Sequence, residues 1–283
     1  MREKQEDWTL VIKPKSNWFE LHLDDLWRYR DLIYMFVKRD FVAQYKQTIL
    51  GPLWFLIQPL LTTITYIVIY GGIAKLSTDG MPKTLFYMSG IMMWNYFASC
   101  LNRTSDTFTA NANIFGKVYF PRLTVPIASV ISGLVAFVIQ LVLFLGFYVY
   151  FYFQGENIHF NSTFLLFPYL VLLMALMGLG LGIIISSMTT KYRDMKFLVT
   201  FGVQLFMFAA PVVYPLSILP EKYRFWVILN PMTSIIEGFR YSVMGHGSFD
   251  WTMLTYSTVF TFLVLAIGAV IFNRVEKTFM DTV

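Results

Sequence analysis

Apolar residues run through the chain in six long blocks that contain no Asp, Glu, Lys, Arg or His. Because about 20 apolar residues in a helix cross the hydrocarbon core of a bilayer, each block predicts a membrane-spanning helix. The second block is the shortest, and the third is long enough to tilt or to project beyond the bilayer. The predicted spans are residues 51–74, 85–101, 123–153, 164–188, 197–219 and 251–273.

The basic residues between these blocks predict which side of the membrane each loop faces. With the first 50 residues in the cytoplasm, 17 of the 22 Lys and Arg residues fall on the cytoplasmic side. Cytoplasmic loops of membrane proteins carry such an excess of positive charge. Both termini are therefore expected in the cytoplasm. Residues 1–25 are expected to form a cytoplasmic extension, with a short strand at residues 8–12.

Two further segments are too polar to span a bilayer. Residues 26–47 place apolar side chains at helical spacing, which predicts an amphipathic helix at the cytoplasmic membrane surface or, alternatively, a helix packed on a partner protein. Residues 221–247 carry Glu237 and Arg240 and are interrupted at Asn230-Pro231, which predicts an outer, re-entrant or surface-lying helical hairpin before the last span. The predicted fold is an all-α integral membrane protein with six transmembrane helices in residues 48–283.

The composition is typical of a membrane protein. Hydrophobic residues make up 57% of the chain and charged residues 14%, against about 25% charged residues in soluble domains. The net charge of +5 follows from the cytoplasmic loops and does not by itself indicate nucleic-acid binding. Since Cys100 is the single cysteine, an intramolecular disulfide is excluded.

The sequence contains no motif for catalysis or cofactor binding. Neither GxxxxGK[ST] nor a GxGxxG after a strand occurs, so this chain is not expected to bind a nucleotide itself. The three His residues lie outside the predicted spans and away from Cys or carboxylate clusters, so neither a metal site nor a catalytic residue is predicted. Spans without ionisable groups also argue against an ion-coupled carrier.

Two predicted spans carry aromatic, amide and hydroxyl side chains along one helix face. Their spacing of three or four positions places each set on one side of its helix. Aromatic rings contact sugar rings, and amides and hydroxyls exchange hydrogen bonds with sugar hydroxyls, so the stripes predict a polysaccharide channel. Helix packing and interfacial aromatic belts produce similar stripes. The predicted channel residues are Trp54, Gln58, Thr62, Tyr66 and Tyr70 in the first span and Phe201, Gln204 and Phe208 in the fifth.

Five short motifs occur in order along nearly the whole chain. They are YKQTILGPLWFLIQP at 45–59, KVYFPRLTVPI at 117–127, KYRDMK at 191–196, APVVYP at 210–215, and LNPM followed by EGFRY between 229 and 241. With these motifs, the chain resembles the permease subunits of ABC-2 type polysaccharide exporters, which move lipid-linked O-antigen, capsule or teichoic acid chains. The IKPKSNWFEL stretch at 12–21 resembles the O-antigen branch more than the teichoic acid branch.

The resemblance implies a homodimer in the bacterial inner membrane, joined to two copies of a separate ATPase that binds ATP and Mg²⁺. The implied substrate is a lipid-linked polysaccharide, in the O-antigen case on a polyprenyl diphosphate, which passes through a channel at the dimer axis.

The resemblance also implies further site residues. Residues 112–122 and the KYRDMK motif would contact the ATPase, and two basic residues at the cytoplasmic entrance would attract the lipid diphosphate, although anionic membrane lipid would attract the same residues. The ATPase-coupling residues are Lys117, Phe120, Pro121, Arg122, Tyr192, Arg193 and Asp194, and the entrance residues are Arg39 and Lys46.

Two alternative functions fit parts of the sequence. An ABC-2 exporter of teichoic acid, capsule, lipid or a drug would share the topology, and a drug or lipid exporter would not need aromatic stripes. A membrane glycosyltransferase or acyltransferase would need a catalytic carboxylate or histidine at the membrane surface. Asp106 is the one carboxylate in the loop after the second predicted span, and no His accompanies it.

Overall fold

The computed structural model describes residues 23–46, 48–118, 120–192 and 194–278, and within these ranges the secondary structure is helical. This confirms the all-α prediction. The strand predicted at 8–12 and most of the predicted N-terminal extension lie outside the described residues. The α-helices are α1 (Leu23–Arg28), α2 (Arg30–Tyr45), α3 (Trp54–Tyr66), α4 (Lys83–Ser105), α5 (Thr107–Phe115), α6 (Thr124–Phe153), α7 (Phe167–Thr189), α8 (Met195–Phe208), α9 (Glu221–Ile228), α10 (Pro231–Met244) and α11 (Trp251–Thr278).

Short helical segments of other types extend several of these helices. A 3₁₀ turn at Gly51–Leu53 leads into α3, and a π-helix at Ile67–Ile73 continues it. A second 3₁₀ segment, Ser162–Leu166, leads into α7, and a third, Leu216–Ile218, follows α8.

Four helical segments are long and apolar enough to cross a membrane, by length and composition. They coincide with the first, third, fourth and sixth predicted spans. They are Gly51–Ile73, Thr124–Phe153, Ser162–Thr189 and Trp251–Val275.

The other two predicted spans differ from these four. Helix α4 has 23 residues, or about 35 Å at 1.5 Å per residue, but it contains more polar residues. Helix α8 is apolar but ends at Phe208, although the uncharged block continues to residue 219. The chain turns after α8, where the Tyr214 hydroxyl donates to the Phe208 carbonyl at 2.9 Å, and Pro211 and Pro215 lack the N–H groups that a longer helix would use.

Helix α4 forms the centre of the bundle. Its residues 85–94 are all buried, and the helix contacts α3, α6, α7, α8 and α10. Because it is covered on every side by protein, it does not need the apolar composition of a helix that faces lipid.

Glycines on α7 allow two neighbouring helices to approach closely. A Cβ on Gly178 would lie 2.6 Å from the Cβ of Cys100 on α4, and Gly182 approaches the same helix as tightly. Toward α11, a Cβ on Gly268 would lie 2.8 Å from the carbonyl oxygen of Gly180. Small residues at such positions let helix backbones pack directly in membrane proteins, so α4, α7 and α11 form one closely packed unit.

The helix predicted at 26–47 is divided at Tyr29 into α1 and α2. Helix α2 packs on α6, and Phe36 is buried in a small apolar cluster with Phe108, Phe115, Phe120 and Phe272. The opposite side of this segment exposes large apolar side chains, including Trp27 and Tyr34.

The helical hairpin predicted at 221–247 corresponds to α9 and α10. Asn230 begins α10, because its side-chain oxygen accepts a hydrogen bond from the Met232 amide at 3.0 Å and Pro231 occupies the first turn. The two helices differ in burial. Helix α9 is mostly exposed, whereas residues 232–240 of α10 are all buried against α4, α7 and α11. Whether the hairpin is re-entrant or lies along the membrane surface stays a prediction.

Candidate functional site

The aromatic stripe of α3 divides into two environments. Tyr66 and Tyr70 are half-buried and lie 6.3 and 6.5 Å from the ring of Tyr87 on α4. The Tyr66 hydroxyl donates to the sulfur of Met207 at 3.7 Å, so the later turns of α3 meet α8. The Thr62 hydroxyl donates to the carbonyl of its own helix at Gln58.

Helix α8 exposes the predicted channel residues. Phe201 and Phe208 are 60% and 47% exposed, and Gln204 is exposed between them. Only Val203 of this 14-residue helix is buried. Leu61 of α3 and Val68 of the π-helix that continues it are exposed as well. Together α3 and α8 present an apolar surface with aromatic and amide groups that the described part of the chain leaves largely uncovered.

Trp54 and Gln58, at the start of α3, line a polar cavity instead. The cavity has a volume of about 240 Å³ and lies between α3, α4 and α6. Its polar groups include Asn95, Ser99 and Arg103 of α4. Trp54 and Gln58 therefore face polar groups of α4, whereas Tyr66 and Tyr70 contact Tyr87 and α8.

A buried charged network, which the sequence analysis missed, joins α10 to α4 and to the turn after α8. Arg240 was expected in an outer loop, but it is fully buried. Its guanidinium lies 3.8 Å from the ring centroid of Phe86. Each of its nitrogens donates at 2.6 to 3.2 Å. The acceptors are the Ser89 hydroxyl, the carbonyls of Phe86, Pro211 and Val212, and the Glu237 carboxylate.

Glu237 completes this network. Its second carboxylate oxygen accepts from the Ser248 amide at 3.1 Å. Burial lowers the pKa of the Arg240 guanidinium, and the Glu237 carboxylate opposes that shift. The signal in the sequence was the spacing of three residues between Glu237 and Arg240, which places opposite charges on one helix face.

The predicted coupling segment, residues 112–122, packs against the rest of the chain through Phe120. Phe120 is buried, with its ring 5.7 Å from Phe36 and 5.6 Å from Phe115. The Arg122 guanidinium lies 5.6 Å from the Phe115 ring, and the Pro121 carbonyl accepts from the Thr124 hydroxyl. Phe120 thus anchors the segment against α2. Lys117 is exposed together with its neighbours Gly116 and Val118.

The second predicted coupling motif is exposed at Tyr192 and Asp194, and the Lys191 ammonium lies 5.3 Å from the Tyr192 ring. Arg193 lies outside the described residues. Nearby, Lys196 forms a 2.5 Å ion pair with Asp106, which joins the start of α8 to the junction of α4 and α5. The carboxylate considered for a transferase is therefore part of an ion pair.

The two predicted entrance residues have different surroundings. The Arg39 guanidinium pairs with Asp40 at 2.8 Å and lies 4.7 Å from the Phe36 ring, so a neighbouring carboxylate offsets its charge. Lys46 is exposed after the end of α2. Among the described residues, no group of three or more His, Cys, Asp or Glu side chains is placed to hold a metal ion.

Comparison with known proteins gives one family match and several relatives. Residues 31–244 match the model of the family described as ABC-2 type transporter. The chain is 26% identical to the O-antigen export system permease protein RfbA of Klebsiella pneumoniae, over 89% of this chain and 94% of the relative. It is also 26% identical to the protein of the same name from Myxococcus xanthus, over 92% and 98%. The polysialic acid transport protein KpsM of Escherichia coli is 22% identical, over 86% and 93%.

Proposed function

The chain belongs to the ABC-2 type transporter family, and we propose that it is the membrane-spanning permease of an ATP-driven exporter of lipid-linked polysaccharide. The observation that carries this proposal is the uncovered surface of α3 and α8, which combines aromatic rings with amide groups. The names of the relatives, which refer to O-antigen export and polysialic acid transport, support a polysaccharide substrate. Among these substrates we favour O-antigen on a polyprenyl diphosphate carrier.

The proposed topology has six spans in the bacterial inner membrane, with both termini in the cytoplasm. Helix α4 supplies the second span, since its length suffices and only its ends carry Lys83 and Arg103. Helix α8 with the turn that follows it supplies the fifth. At 14 residues it covers about 21 Å, so the bilayer must thin locally or the turn must complete the crossing. Helices α9 and α10 form a re-entrant element on the outer side.

Two copies of the chain are proposed to enclose the channel. The exposed faces of α3 and α8 are too apolar to line a water-filled path on their whole circumference, so part of each contacts the second copy or lipid. The polymer contacts the remaining stripe. In this arrangement Thr62, Tyr66, Tyr70, Phe201, Gln204 and Phe208 form the wall.

Accessibility of single cysteines tests the channel wall. In a Cys100→Ser background, Phe201→Cys and Val259→Cys form a matched pair, because both native side chains are 60% exposed but lie on α8 and α11. In membranes, a water-soluble thiol reagent should label position 201, with protection by lipid-linked glycan, and should spare the lipid-facing position 259. Equal labelling of the two positions, or none at 201 in either open or closed states, would contradict the proposed wall.

ATP hydrolysis is proposed to reside on two copies of a separate ATPase that holds ATP and Mg²⁺. The exposed residues 116–118 and Lys191, Tyr192 and Asp194 supply its docking surface, and Phe120 holds the first of these segments in position against α2. Lys117→Glu should reduce the amount of ATPase that copurifies, whereas Lys222→Glu on α9 should not, since both side chains are exposed but the topology places them on opposite sides. ATP hydrolysis by the purified chain alone would refute the proposal that a separate ATPase subunit hydrolyses ATP.

A further inference from the structure

A hydrogen bond joins two connecting segments that are far apart in sequence. The Ser217 hydroxyl oxygen lies 2.6 and 2.8 Å from the two carboxylate oxygens of Asp79, so the hydroxyl donates to the carboxylate. Asp79 lies in the loop of residues 74–82, which connects the π-helical end of α3 to α4. Ser217 lies in the 3₁₀ segment that follows α8. In the proposed topology, the bond therefore links the outer ends of the first and fifth spans.

Helices α3 and α8 pack mainly on other parts of the bundle. Helix α3 packs on α4 and α6, and α8 packs on α4 and α7. The hydrogen bond from the Tyr66 hydroxyl to the Met207 sulfur also joins α3 to α8, but a thioether sulfur is a weak acceptor. A hydrogen bond to a carboxylate is about twice as strong as one between neutral groups. The bond between Asp79 and Ser217 is therefore the stronger of these two links.

The two partners of the bond are held in place to different degrees. The segment that leads from α8 to Ser217 is fixed, because the carbonyls of Pro211 and Val212 accept hydrogen bonds from the buried guanidinium of Arg240. Asp79, in contrast, follows α3 and its π-helical end, which together have few buried residues. An outward movement of α3 would therefore carry Asp79 away from Ser217.

The backbone of the 74–82 loop is strained where it carries Asp79. The φ angle of Asp79 is 52°, and those of Lys75 and Gly80 are 51° and 80°. Residues other than glycine rarely adopt this left-handed region, and such strain persists where surrounding contacts hold the backbone in place. The bond to Ser217 is such a contact. Its loss should therefore let the loop relax away from the segment after α8.

We propose that the hydrogen bond between Asp79 and Ser217 is a latch that keeps the outer end of the transport pathway closed. While the bond is intact, the 74–82 loop stays beside the segment after α8, and the outer ends of α3 and α8 stay together. When the bond breaks, these ends move apart and widen the exit for the polymer. This inference rests on the proposed function, because it takes α3 and α8 as the wall of the pathway.

Removal of either partner should open a path for small solutes in the resting complex. The chain, with the subunits that copurify, is reconstituted into vesicles loaded with a small hydrophilic dye. Asp79→Ala and Ser217→Ala should each raise the dye leak about tenfold, since a hydrogen bond to a charged group is lost. Ser217→Thr keeps the hydroxyl and should leak no more than the unchanged chain. Glu156→Ala, which removes an exposed carboxylate from the next outer loop, is the matched control and should not leak.

A reversible cross-link tests the latch during transport. In a Cys100→Ser background, Asp79→Cys and Ser217→Cys are joined by a short bifunctional methanethiosulfonate reagent, which forms a disulfide with each thiol. The link should abolish the dye leak of the double cysteine variant and should block export of polymer. A reductant cleaves the link and should restore both. Export at the same rate with and without the link would overturn the proposal, as would a dye leak at the wild-type level in both Asp79→Ala and Ser217→Ala.

The two measurements separate the latch from the proposed function. If the Cys100→Ser chain with native Asp79 and Ser217 exported no polysaccharide, the proposed function would be wrong, and the dye leak, which needs no polymer, would still decide whether the latch exists. If that chain exported polysaccharide and the cross-link left export unchanged, the latch alone would be wrong.

Discussion

Helices α8 and α10 both have 14 residues, but the more polar helix, α10, is buried and the more apolar helix, α8, is exposed. Helix α10 contains the Glu237–Arg240 pair, yet twelve of its residues are buried. Helix α8 is mostly apolar, yet only Val203 is buried. In a soluble protein the apolar helix would be the buried one.

The difference follows from the solvent. Lipid tails are as apolar as Leu, so a helix such as α8 loses nothing by facing lipid or a second copy of the chain. A charged pair, in contrast, is expensive in hydrocarbon and must be enclosed by protein groups that complete its hydrogen bonds. Of these two helices, therefore, the one with the charged pair lies in the interior and the more apolar one lies at the surface.

Removing the buried cation should give the largest effect. Arg240→Met leaves the Glu237 carboxylate buried without its partner, so we expect a loss of about 3–5 kcal/mol in the free energy of unfolding. The measurement is thermal or denaturant unfolding in detergent. Arg224→Met on exposed α9 is the control and should have little effect.

The double variant Glu237→Gln, Arg240→Met sharpens this test. It removes both charges and should recover part of the lost stability, because no unpaired ion remains. Unchanged stability in the single Arg240→Met variant would show that burial of the pair does not matter to this fold.

Two glycine substitutions should have smaller effects of opposite sign. A Cβ on Gly90 would lie 2.7 Å from the Val212 carbonyl oxygen and 2.9 Å from a guanidinium nitrogen of Arg240, so Gly90→Ala should cost about 1–3 kcal/mol. A Cβ on Gly202 of α8 meets nothing within 4 Å, so Gly202→Ala should stabilise the protein by up to about 1 kcal/mol through helix propensity. Equal melting temperatures for the two variants would contradict the contrast between the two regions.

The smallest effect on stability is expected from the exposed face of α8. Phe201→Ala removes a ring that is 60% exposed, so unfolding should change by only about 0.5 kcal/mol, while export of polymer should fall. The matched variant Phe239→Ala removes a fully buried ring of α10 and should cost about 3–5 kcal/mol. If Phe201→Ala lost stability and kept full export, its ring would be a packing element and not part of the channel wall.

The sequence predicted the long apolar helices better than the shorter or more polar ones. Long uncharged blocks located four membrane-length helices, because hydropathy reports directly on contact with lipid. Pro211 and Pro215 indicated that α8 ends early. The uncharged block, however, continues to residue 219, so a prediction from hydropathy placed the end of the helix too late.

The burial of α10 and of Phe120 was not predictable from local pattern. The acceptors for Arg240 lie on α4 and in the turn after α8, which are distant in sequence, so its polarity suggested a surface position. Phe120 lies in a polar loop, and only the tertiary structure brings it to Phe36. For the channel stripe, helical spacing placed its members on one face but did not distinguish the environment of Trp54 from that of Tyr66.

The close approach of α4, α7 and α11 restricts how the molecule can move. At Gly178, Gly180 and Gly268 the neighbouring helix lies so close that even a Cβ would clash, which leaves little room for one helix to slide past another. These three helices must therefore travel as a single rigid body in any transport cycle. Any movement that opens a pathway should therefore occur in the elements that pack less tightly against these three helices. These elements are α8 and α3 with its π-helical end.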